Sequence, residues 1–86
     1  MNDKVKQQLP NWFKGEVYEL GDEVRNPYSG ETVLLDAAEL SMYDAVKGAE
    51  MAAVMGADID ACIDVINQGK DWFLIKNPSA YMKLLD

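Results

Sequence analysis

Three carboxylates fall close together in Asp58-Ile59-Asp60-Ala61-Cys62-Ile63-Asp64. Their spacing matches part of a calcium-binding loop, in which side-chain oxygens wrap a hard cation. The stretch lacks the glycine that turns such a loop and the glutamate at its twelfth position. On a helix Asp60 and Asp64 share one face. No third oxygen ligand is at hand, so these acids read as complements of a helix dipole on a solvated face. General acid–base work needs a carboxyl group whose pKa burial has raised, and Asp44 and Glu50, near Tyr43 and Val54 on one helical side, are the places where that could arise. Ser29 and Ser41 have no histidine to activate them, because the chain contains none, and Ser41 and Lys47 are not spaced as a Ser–Lys pair on a helix. The same absence removes the commonest soft metal ligand. Cys62 is the single cysteine, which excludes an internal disulfide or a thiolate cluster and suits a small buried hydrophobe. Neither GxxxxGK followed by Ser or Thr nor GxGxxG occurs, so no phosphate cradle is present. No catalytic, cofactor-binding or metal residue is assigned on these grounds.

The elements that would position any site are better defined. Asp36 to Met55 opens with Asp36 and Glu39 in capping-box spacing and stops at Gly56. At about 100° per residue, Ala38, Met42, Ala45, Val46, Ala49, Ala52 and Ala53 form one apolar arc, while Leu40, Tyr43, Met51 and Val54 alternate with Glu39, Lys47 and Glu50 on the other side. Asp58 or Asp60 caps a second helix of about 18 residues, by the periodicity of its apolar positions. Its core arc is expected to be Ile59, Cys62, Ile63, Ile66, Phe73 and Leu74, with Gly69 at the edge as a close contact or a bend. The short turn at Gly56 makes the two helices antiparallel neighbours. Gly48, Ala49, Ala52 and Ala53 offer the thin surface through which they are expected to meet, opposite Ile63 and Ile66. Asn77-Pro78 ends the second helix and starts a short third one with Tyr81, Leu84 and Leu85 facing inward.

Before the helices, Glu23–Arg25 and Glu31–Leu35 flank Asn26-Pro27-Tyr28-Ser29-Gly30, a turn in which Pro27 presets φ and Gly30 accepts the left-handed conformation. Residues 16–20 could pair as a further strand through Gly21-Asp22. The fold expected is therefore α+β: an N-terminal β-hairpin or three-stranded meander, then an antiparallel helix pair and a short C-terminal helix. All of it forms one small domain over residues 1–86, with an arm at 1–15, the hairpin or meander at 16–35 and the helical part at 36–86. Trp12 and Phe13 suggest an arm pinned onto this core or onto a neighbouring subunit. Trp72 and Ile75 fall off the core arc of their helix, to be covered by the folded-back terminal helix or left as an association surface.

The turn, strand and helix pieces Asn26-Pro-Tyr-Ser-Gly-Glu-Thr-Val-Leu-Leu and Leu40-Ser-Met-Tyr-Asp-Ala-Val-Lys-Gly-Ala-Glu50, with Gly69-Lys-Asp-Trp-Phe and Asn77-Pro-Ser-Ala-Tyr-Met-Lys-Leu-Leu-Asp86, resemble short uncharacterised proteins of bacteriophages and marine bacteria. The resemblance covers about two thirds of the chain. It implies a small viral or bacterial accessory protein and brings no functional residue with it.

The bulk composition reads first as a solvated, acidic surface. The formal charge is −7 over 86 residues and is uneven: residues 1–15 carry +2, 16–35 carry −4, 36–64 carry −6 and 65–86 carry +1. Such a chain is repelled by phosphate backbones and anionic membrane surfaces, so direct nucleic-acid or membrane binding is not expected. No signal-peptide pattern and no apolar run of the ~20 residues a membrane span needs are evident, and a cytoplasmic location is the expectation. Three functions follow. The first is a non-enzymatic interaction or accessory module, self-associating as a homodimer or binding a protein partner, with Trp12, Phe13, Trp72, Ile75 and Tyr81 as its surface. The second is an acidic nucleic-acid mimic that occupies the basic site of a DNA-binding protein. The third is a small metal-dependent enzyme, which lacks both a nucleophile constellation and a ligand cluster.

Overall fold

The computed structural model describes residues 3–86, so the first two residues of the expected arm lie outside the described residues. In order, the elements are α1 (Asp3–Gln8), β1 (Asp22–Arg25), β2 (Thr32–Leu35), α2 (Ala37–Val54), α3 (Ile59–Lys76) and α4 (Pro78–Leu84). The α+β architecture is the expected one: a two-stranded antiparallel hairpin, then α2 packed along α3, then a short C-terminal helix.

The helices α2, α3 and α4 each begin where the local chemistry supplies a cap. Asp36 Oδ1 accepts the Glu39 N–H at 2.8 Å, and Glu39 Oε1 accepts the Asp36 N–H at 2.9 Å, which completes the capping box of α2. At the other end Gly56 takes φ +92°. The Gly56 and Ala57 N–H groups then close back on the carbonyls of Ala53 and Ala52, satisfying acceptors that a helix end leaves open. Asp58 caps α3 through the Ala61 N–H. α3 runs unbroken through Gly69 for 18 residues. Asn77 serves two helices at once: its N–H donates to the Phe73 carbonyl, and its Oδ1 accepts the Ala80 N–H at 3.1 Å with Pro78 beginning α4.

The hairpin pairs Asp22 with Leu35, Glu23 with Leu34, Val24 with Val33 and Arg25 with Thr32. Val24 and Val33 pack against the core while Glu23 and Leu34 point out, the period-2 alternation of a half-covered sheet. In the turn, Asn26 Oδ1 accepts the Tyr28 N–H at 2.8 Å and Gly30 takes φ +78°. The Asn26 amide also donates to the Lys83 carbonyl at 2.7 Å, tying the turn to the end of α4.

The three-stranded alternative does not form, because residues 16–20 are not strand. The Tyr18 N–H is taken by Ser41 Oγ of α2 at 2.9 Å, so the segment is pinned to a helix instead of a neighbouring strand. Gly21 explains why it stops there: a Cβ at this position would collide with the Leu35 carbonyl and the Asp36 backbone. The chain crosses the end of β2 at contact distance before it can enter the sheet.

One core cluster gathers Leu35 of β2, Ala38, Met42 and Val46 of α2, Phe73 of α3, Ala80 and Leu84 of α4, and Leu9 and Leu85, which directly follow α1 and α4. The helices do meet, but the glycine expected at their contact is not part of it. Gly48 is exposed with nothing within 4 Å of a Cβ built on it, whereas Gly69 is buried and its Cβ would run into Val46 Cγ2 and sit 3.4 Å from Met42 Sδ. The thin residue at the crossing thus belongs to α3, and branched or long side chains of α2 fill the space over it. α3 is turned to match. Cys62, Gly69 and Phe73 face inward at i, i+7 and i+11, and Ile59, Ile63 and Leu74, expected in the core, stay exposed on the shoulder of the helix. The apolar arc of α3 is wider than its contact with α2, so only one flank is covered.

Two polar residues of α2 are buried. Ser41 donates to the Ala37 carbonyl at 2.7 Å, the acceptable way for a mid-helix hydroxyl to be satisfied. Glu39 accepts from the Asn77 amide at 3.0 Å through Oε2, and Lys76 Nζ lies 3.7 Å from the same oxygen and 3.1 Å from Asp36 Oδ2.

Two outcomes follow in urea denaturation. Gly69→Ala is expected to destabilise the protein by about 1–3 kcal/mol, because overpacking against Val46 exceeds the gain in helix propensity, while Gly48→Ala stabilises it by up to ~1 kcal/mol. Glu39→Ala is expected to cost about 2–4 kcal/mol, since it removes a cap and leaves the Asp36 N–H and the Asn77 amide without their acceptor.

Candidate functional site

The five residues expected to form an association surface do not share one environment. Trp12 and Phe13 follow α1 and lie half-buried against the core, as do Trp72 and Tyr81. Trp72 meets Phe73 edge-on, with ring centroids 5.3 Å apart at 84°, and Lys76 Nζ sits 5.8 Å from its ring centre. An edge-to-face pair of this kind adds to core packing. Ile75 is the exception: it is 85% exposed and α4 does not cover it. The aromatic residues therefore wall the core from outside, and only Ile75 stands free as an apolar contact.

The acids suspected of chemistry are equally separated. Asp58 is spent on the cap of α3, and Asp60 and Asp64 are exposed on the outer side of that helix. Among the described residues no group of three or more His, Cys, Asp or Glu side chains could hold a metal ion. Glu50 pairs with Lys47 at 3.2 Å, and Cys62 is buried. Asp44 is exposed and acts on Tyr18 of the pinned segment. Burial of the phenol, the Asp44 charge and hydrogen bond, and the Glu16 charge all hold the Tyr18 pKa above its ordinary 10.0.

Among the open features of the described residues, two stand out. One is a cleft of about 990 Å³ between α1 and the following arm, lined by Lys6, Leu9, Pro10, Phe13, Lys14 and Val17 among others. It is broad and mixed in polarity, with no convergent set of polar groups. The other is the uncovered flank of α3, where Ile59 is 53%, Ile63 44% and Leu74 47% exposed. Near the α2–α3 turn the exposed Met51, Val54 and Met55 add further apolar surface. Sequence periodicity had marked the α3 residues as apolar and on one arc, but had put that arc inside. The signal that would have placed them outside is Gly69, whose position fixes which part of the arc meets α2.

No protein-family model matches the chain, and no match is found among curated proteins or solved structures. No helix among the described residues is long and apolar enough to cross a membrane.

The Tyr18 environment has a measurable consequence at alkaline pH. A phenol held protonated in the fold contributes its full stabilisation below pH 10.0, the unfolded value, and loses it as pH rises through the higher folded value. Ultraviolet titration is expected to show one tyrosine ionising late that is missing in Tyr18→Phe, and Asp44→Asn is expected to move that step down toward 10.0.

Proposed function

We propose that this chain works by binding another protein, as a non-enzymatic interaction module that offers the outer flank of the α2–α3 hairpin. The observation that carries this reading is the run of exposed apolar side chains along α3, on a helix whose other face is firmly seated. An apolar surface of this kind rimmed by polar residues marks a contact site more often than it marks a solvent-facing one. The polar groups point the same way. The buried acid and the buried hydroxyl, Glu39 and Ser41, are engaged in capping, helix-to-helix and helix-backbone bonds. Small accessory proteins of bacteriophages or bacteria fit such a role, and self-association would cover the same flank.

A second reading has its own observation. Asp60, Asp64 and Asp71 lie exposed along α3 and make no ion pair among the described residues, so a row of negative charge is available to imitate a phosphate backbone. The two readings part on which side chains matter. In affinity capture from the cells that express the protein, the interaction-module reading expects Ile63→Gln with Leu74→Gln to abolish capture of the bound protein at low and high salt alike, with an unchanged urea midpoint. Capture that survives these substitutions but is lost with Asp60→Asn and Asp64→Asn, or simply in high salt, would favour the mimic.

A further inference from the structure

The uncovered flank of α3 has a definite shape and sign. Ile59, Ile63, Ile66, Lys70 and Leu74 recur at i, i+4, i+7, i+11 and i+15, so they form one stripe along the helix. The stripe is about 22 Å long at ~1.5 Å per residue, the length of a partner helix of about four turns. Ile66 and Lys70 are half-buried and the other three are exposed, so the stripe is a seam that borders the seated face of α3 at Cys62, Gly69 and Phe73.

Its border is acidic. Asp60, Asp64 and Asp71 recur at i, i+4 and i+11 beside the stripe, all exposed and none in an ion pair among the described residues. From Gly48 to Gly69 the chain has Glu50, Asp58, Asp60 and Asp64 and no basic residue. The nearest cations are already engaged, Lys47 with Glu50 and Lys76 with Asp36 and Glu39. That leaves Lys70 as the one base on the seam.

This charge pattern decides the occupant. A second copy laid across the seam would bring two acidic rows together with a single Lys70 from each side to offset them, and like charges facing each other across an interface disfavour the pairing. A basic partner meets the opposite condition. Building on the binding reading above, we infer that the α3 seam receives an amphipathic α-helix of basic character, whose apolar anchors at helical spacing fill the ground between Ile63 and Leu74 while its lysines or arginines reach Asp60, Asp64 and Asp71. Helix-in-groove recognition places apolar anchors at i, i+3 or i+4, and i+7, which matches the periodicity of the seam itself.

The test uses the intact protein and a synthetic peptide of leucine and lysine whose leucines share one helical face. Amide chemical shifts are followed during titration, with sedimentation equilibrium run in parallel. Saturable shifts concentrated on residues 59–74 are expected, with binding weakened at least about tenfold by Ile63→Gln with Leu74→Gln, as for the loss of central anchors. Asp60→Asn with Asp64→Asn should weaken binding and flatten its salt dependence. A peptide of the same composition with its leucines scattered, and one with glutamate in place of lysine, should fail to produce the pattern. Equal binding of the scattered peptide would overturn the inference, as would shifts that map elsewhere. A dimer that Ile63→Gln dissociates would also overturn it, yet leave the interaction-module reading standing. A monomer that binds neither the peptide nor any captured protein would remove both.

Discussion

The Glu39 carboxylate is the joint on which the arrangement depends. It is almost fully buried and accepts the Asp36 N–H and the Asn77 amide, with Lys76 Nζ beside it. One side chain thus closes the start of α2, holds the end of α3 against it and orients the residue that caps α4. A buried carboxylate is costly unless its lone pairs are filled, and here the neighbours that fill them are the ends of three helices. The constraint acts in both directions: the charge is tolerable because the helices converge, and the helices are held in register because the charge must be satisfied.

With that end of the hairpin tied, the other end is set by the turn at Gly56 and the middle by the crossing of Gly69 beneath Val46. Three points along two helices leave little freedom to rotate either one. This is why α3 shows one flank to the core and another to solvent, although both flanks are apolar. It is also why residues 16–20, held by the Ser41 hydroxyl and crowded at Gly21, lie along α2 instead of widening the sheet. The core then closes around Met42, Val46 and Phe73, with the hairpin and α4 joined through Asn26 and Lys83.

The parts legible in the amino-acid sequence were those written in local chemistry. Asp36 with Glu39, Asn77 before Pro78, Gly30 in its turn and Gly56 after its helix each act within a few residues, and each stands where its type implies. The parts not legible depend on the direction from which a neighbour arrives. A helical wheel showed that α2 has an alanine-rich arc, but not that Gly69 would supply the close approach while Gly48 faced water. The same ambiguity hid the seam, because Ile59, Ile63 and Leu74 are indistinguishable by type from core residues. Trp12, Phe13, Trp72 and Tyr81 lie half-buried against the core for the converse reason. Large aromatics next to a small core are drawn onto it.

The methionines are divided by this geometry. Met42 is fully buried beside Gly69, whereas Met51, Met55 and Met82 are largely exposed. Conversion to the sulfoxide makes a thioether polar, and it proceeds where oxidant can reach the sulfur. Oxidative damage would therefore begin at the tip of the helical hairpin and on the outer side of α4, and spare the interior. A reductase acting on exposed sulfoxides could reverse that change without the protein ever unfolding.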